Sequence, residues 1–186
     1  MLAFILAAAV SAAPMSQVEL WVRAEPDGFS SVRCEALGVD LTARARSPGL
    51  WSFSGKAGAP AAFEARREHA SESGDVISRW RFAGLGSEWT LEQASRLRAD
   101  YRLKPADGGP SLLFAAETSG DGPDFRIEGT GVELRTRSSG RRTAASGTAA
   151  ALGPGRAALI GASLVLLRLS PPRRAEAGGA GGGRRS

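Results

Sequence analysis

Apolar and polar residues alternate with a period of two through most of this chain, which predicts strands with one dry and one wet face. The stretch 96–104 does so without a break, setting Leu97, Ala99, Tyr101 and Leu103 against an all-charged opposite face. Val18, Leu20 and Val22 alternate with Glu19, Trp21 and Arg23 in a first strand that ends at the turn 25–28, so Trp21 points away from the apolar set. Runs over 31–37 and 39–45 follow, the first containing Cys34, and then 50–53, where Trp51 and Phe53 share a face. The runs 62–69 and 76–82 flank a polar turn and predict a long hairpin, although the first arm is also rich in helix formers. Further runs at 89–91, 112–117, 125–128 and 132–137 are separated by turns containing Gly, Pro or Asp.

Turn signals about every 8 to 12 residues leave room for about nine to eleven short strands between 17 and 137. The expected fold class is therefore all-β; the spacing suits a sandwich or a small barrel, and the preferred expectation is an antiparallel β-sandwich or jelly roll. The strand rhythm from Leu97 to Arg137 resembles that of concanavalin-like jelly rolls, which implies two stacked sheets. Outside this domain, residues 1–12 read as a signal peptide, with an apolar run followed by Val10-Ser11-Ala12 as a small-residue cleavage site. Residues 138–155 are rich in Gly, Ser, Ala and Arg and read as a linker, and 170–186 as a basic, Gly-rich disordered tail.

Between these two, within 156–169, an unbroken apolar run opens at Ala157 and closes at Leu167. As a helix it covers about 16 Å, short of the roughly 30 Å of hydrocarbon in a bilayer. Its flanking Pro154 and the Arg cluster behind it resemble bacterial C-terminal sorting signals. A membrane tether or sorting segment is the expectation, with a final strand packed on the domain as the rival. The membrane would then be one partner, and the localisation the secretory pathway or cell envelope with the β domain outside the cytoplasm.

Charge adds one exclusion. Residues 13–137 carry 16 Lys+Arg against 18 Asp+Glu, whereas 138–186 carry eight Arg against one Glu, so the basic character belongs to the C-terminal part. Nucleic-acid binding by the domain would need cations gathered on one face with stacking aromatics between them, and no nucleic-acid partner is expected. Cys34 is the sole cysteine, which removes intrachain disulfides, and the absence of Asn removes N-glycosylation acceptors.

Candidate chemistry is sparse. His69 is the only histidine, so a multi-His zinc site is excluded, and Ser71, Ser73 and Asp75 beside it are what a polar turn supplies anyway. The loop 119–124 has two carboxylates without EF-hand spacing; no metal or cofactor is expected. Three functions are carried forward. The first is a non-enzymatic binding or assembly module with a protein or carbohydrate ligand. The second is a carbohydrate-binding jelly roll with Trp21, Trp89 or Tyr101 as stacking platform. The third is a small hydrolase using carboxylates such as Glu64 and Glu68. No catalytic residue is assigned.

Overall fold

The computed structural model describes residues 16–170, except 26–27, 57–61, 73–74, 95–98, 118–122 and 151. The signal-peptide reading of residues 1–12 and the tail beyond Ser170 lie outside the described residues, as does most of the 119–124 loop. Twelve strands follow one another: β1 (Ser16–Ala24), β2 (Phe29–Cys34), β3 (Val39–Ser47), β4 (Leu50–Gly55), β5 (Phe63–Glu72) and β6 (Asp75–Ala83). Then come β7 (Trp89–Gln93), β8 (Tyr101–Pro105), β9 (Leu112–Glu117), β10 (Asp124–Gly129), β11 (Val132–Ser139) and β12 (Arg142–Ala149). Each pairs antiparallel with the next, and β1 pairs with β12 from Ser16↔Ala149 to Arg23↔Arg142, closing the sheet into a barrel.

This corrects the expected sandwich. Alternation of apolar and polar residues is the same in a sandwich and in a barrel; the two differ here in one pairing between the first and last strands, which leaves no local trace. The twelfth strand lies within the stretch expected to be a linker. Its inward positions are Thr143, Ala145, Gly147 and Ala149, too small to show an apolar rhythm. At Gly147 nothing larger fits, since a Cβ would lie 2.2 Å from the carbonyl oxygen of Glu133.

A barrel of twelve strands measures about 24 Å across between backbones, too wide for side chains alone to fill. The chain fills it with α1 (Pro154–Leu169), a 16-residue helix about 24 Å long, enough to run the height of the barrel. Every residue from Ala157 to Leu167 is buried, so the helix is covered on all sides, as a circumference that is apolar but for Ser163 requires. The expected membrane tether is therefore replaced by an internal core, and no helix among the described residues is long and apolar enough to cross a membrane. Outside, β1, β2, β3 and β5 present Glu19, Arg23, Arg33, Arg44, Glu64 and Arg66, the reverse of the apolar band that a transmembrane barrel turns to lipid.

The seat of α1 follows from side-chain size. Among the described residues, the eight buried aromatics, Trp51, Phe53, Phe63, Trp80, Phe82, Tyr101, Phe114 and Phe125, come from β4 to β10. Phe53 stacks on Phe63 at 4.7 Å, and Tyr101 and Phe114 meet Phe125 edge-on. By contrast β1, β2 and β3 turn in only small and aliphatic side chains such as Val18, Leu20, Val32 and Leu41, and α1 lies against these three strands. At Gly161 the helix is so close that a Cβ would stand 2.1 Å from Val32 Cγ1.

Pro154 at the start of α1 gives up no hydrogen bond there, and Arg168 in its last turn favours the negative end of the helix dipole. Arg168 also ties the helix to the β11–β12 hairpin, donating to the carbonyl of Gly140 at 2.6 Å and to Thr143 Oγ1. Trp80 Nε1 donates to the carbonyl of Ser170 at 3.0 Å, fixing the same end to β6.

Candidate functional site

With the interior filled, the described residues with ligand-binding character lie outside. Only two large hydrophobic side chains are exposed among them, Trp21 (46 %) and Phe29 (49 %). Both occupy outward positions of neighbouring strands. Trp21 on β1 sits opposite Arg33 of β2 on one side and Ala144 of β12 on the other. Across β2, the 3-10 turn Glu35–Leu37 curls back towards β1 and ends at Gly38, whose φ of 63° suits glycine.

The result is a cleft of about 690 Å³ lined by Trp21, Gln17, Glu19, Arg33, Glu35 and Arg142, with Arg23 and Ser31 at one end. Arg23 and Ser31 also line the next hollow, of about 450 Å³, which holds Phe29, Glu25 and Arg141. Arg44 lies over the Phe29 ring, 5.0 Å from its centroid, a cation–π contact that braces the ring on the surface.

The charges here are mixed and largely matched. Glu25 joins Arg23 and Arg141, and Arg23 foremost holds its carboxyl below the usual carboxylate range. Asp40 is paired to Lys56 at 2.9 Å and lies 3.6 Å from Arg33, and Lys56 foremost holds its carboxyl below the usual carboxylate range. Glu19, Glu35 and Arg142 complete a lining of acceptors and donors around one aromatic face.

The three aromatic residues expected to stack on a sugar are not brought together. Trp21 is exposed as its register implied. Tyr101 is an inward residue of β8, 6 % exposed and edge-on to Phe125, so it belongs to the core. Trp89 is half-buried against that core, with its Nε1 donating to Ser87 Oγ at 2.9 Å. Sequence reasoning missed Phe29, although the test that singled out Trp21 applies to it: Phe29, Ser31 and Arg33 share a parity opposite to Val32 and Cys34.

The carboxylate pair fares worse. Glu64 and Glu68 lie four residues apart on the outward face of β5, about 13 Å along the strand, beyond the roughly 5–10 Å that glycoside hydrolysis uses. Glu68 is moreover engaged by Arg79 at 3.5 Å and Arg81 at 3.4 Å. His69 is exposed on the same strand. Cys34 is fully buried, and desolvation pushes its thiol up.

No family model, curated protein or solved structure matches this chain. The reading of its surface therefore rests on the geometry above.

Proposed function

We propose that this protein is a binding or assembly module rather than an enzyme, and that it recognises its ligand on the outer face of β1 and β2. The observation that carries this reading is the exposed Trp21 set in a 690 Å³ cleft of mixed donors and acceptors, on a barrel whose lumen is occupied by its own helix. Barrels that carry ligands inside keep an open interior; here that volume holds α1, so recognition moves to the wall. An indole presented beside a small residue offers a large, rigid apolar face with little ordering cost. The module works outside the cytoplasm, exported on residues 1–12.

The test is to probe oligosaccharide and peptide arrays with the wild-type protein and with Trp21→Ala, and to measure the mass of the mature chain recovered from cells. Binding that Trp21→Ala abolishes, by a chain beginning near Ala13, supports the proposal. A wild-type protein that binds on neither array, or binding that survives Trp21→Ala, overturns the site. Retention of Met1 overturns the export.

A further inference from the structure

We infer that the ligand of this face is a linear, uncharged oligosaccharide that spans two aromatic platforms, Trp21 and Phe29. This inference rests on the binding reading above and names its ligand class.

The only two exposed large hydrophobic residues among those described fall on one strip of wall, in two hollows that share Arg23 and Ser31. Arg23 faces Ser31 across the β1–β2 pair, and Trp21 faces Arg33, which places Phe29 four residues further along β2 than the partner of Trp21. The Cα atoms of Trp21 and Phe29 are thus about 14 Å apart, taking about 3.3 Å per residue along the strand and about 4.8 Å between strands. A single sugar ring cannot bridge that distance. Two platforms so spaced select an extended ligand over a single small ring.

Charge and backbone decide the chemical class. Glu19, Glu25 and Glu35 are interleaved with Arg23, Arg33, Arg141 and Arg142, and Arg44 stands over Phe29, so a polyanion such as single-stranded nucleic acid would meet carboxylates along its path. The same mixture suits neutral hydroxyls, which donate to carboxylates and accept from guanidinium and amide groups. An extended peptide would add main-chain hydrogen bonds at a free sheet edge, but the barrel is closed through β1 and β12 and offers none on this face. Stacking on the indole of Trp21 and on the face of Phe29 turned away from Arg44, with polar groups on either side, matches the apolar faces and equatorial hydroxyls of a sugar chain.

The experiment is calorimetric titration of the full chain with cello-, xylo- and chito-oligosaccharides of one to six rings, with the Trp21 indole N–H resonance followed by NMR. For at least one series, affinity should rise about tenfold or more between two and four rings and then level off, as the second platform is engaged. Phe29→Ala should return the tetramer to the affinity of the dimer, and Trp21→Ala should weaken every length about tenfold. Both side chains point outward, so the melting temperature of each variant reports that the barrel is intact. Affinity that is flat beyond two rings, or unaffected by Phe29→Ala, overturns the two-platform ligand. Peptides that shift Trp21 while no saccharide does overturn this inference and leave the binding reading standing. If neither chemistry moves Trp21, both fall.

Discussion

Replacing Gly161 by Ala should destabilise the protein, although the same change in a free or membrane-embedded helix would favour it. A glycine inside a helix costs about 1 kcal/mol relative to alanine, so propensity alone argues for a gain of that size. Here the new Cβ would lie 2.1 Å from Cγ1 of Val32 and within 3.2 Å of that residue's Cγ2 and Cβ. Val32 is fully buried and β-branched, with little rotamer freedom to yield. Overpacking of this kind costs about 1–3 kcal/mol, and so deep an overlap belongs at the upper end. The net loss should be about 2 kcal/mol, a fall in Tm of about 4–8 °C for a chain of this size. Thermal and urea unfolding followed by circular dichroism measure it. Val32→Ala, itself costing about 2 kcal/mol as a cavity, should be less harmful when combined with Gly161→Ala, with a coupling of about 2 kcal/mol. A Tm that rises in Gly161→Ala, or two changes that simply add, would refute the seating of α1 against β2.

Three further outcomes follow from the same core. Ending the chain after Ala150 removes Leu159, Ile160, Leu164, Val165, Leu166 and Leu167, worth about 9 to 18 kcal/mol at about 1.5–3 each; since whole domains are stable by about 5–15 kcal/mol, no cooperative unfolding transition should be seen. Arg168→Leu should keep the helix inside but lose about 2 kcal/mol with its hydrogen bonds to Gly140 and Thr143, read as a lower urea midpoint with an unchanged m-value. The Cys34 thiol, buried and with its ionisation suppressed by desolvation, should be silent to a thiol reagent at pH 8 and react only after unfolding.

Much of the wall was legible in the sequence because each strand writes its own period. Trp51 and Phe53, which alternation sets on one face, are buried, and Trp21, which it sets apart from the apolar positions of its strand, is exposed. The arm from Phe63 to Glu72 is a strand despite its helix formers, because pairing on both sides with β4 and β6 outweighs a propensity of a few tenths of a kcal/mol per residue. What depended on the whole molecule was not legible. Thr143, Ala145 and Gly147 read as linker because small and hydroxyl side chains write no apolar period, although they take the inward positions of β12. The run from Ala157 to Leu167 is apolar enough for a bilayer or a barrel lumen but too short to span the former, and its seat against β1, β2 and β3 shows only once the barrel has gathered the aromatic side chains of β4 to β10 on the other side. At the site, the aromatic parity of Trp21 and Phe29 is readable, but their shared strip depends on the β1–β2 register.

The most direct test of the account is a nuclear Overhauser measurement between the methyl groups of Val32 and the α-protons of Gly161 in the intact, methyl-labelled chain. Their carbons lie in van der Waals contact across the lumen. A strong cross-peak, with the amide of Gly161 protected from exchange, is the result expected of a helix seated inside the barrel. If that cross-peak is missing and the Gly161 amide exchanges freely or broadens on adding lipid micelles, α1 is not the core, and the wall enclosing it must be read again.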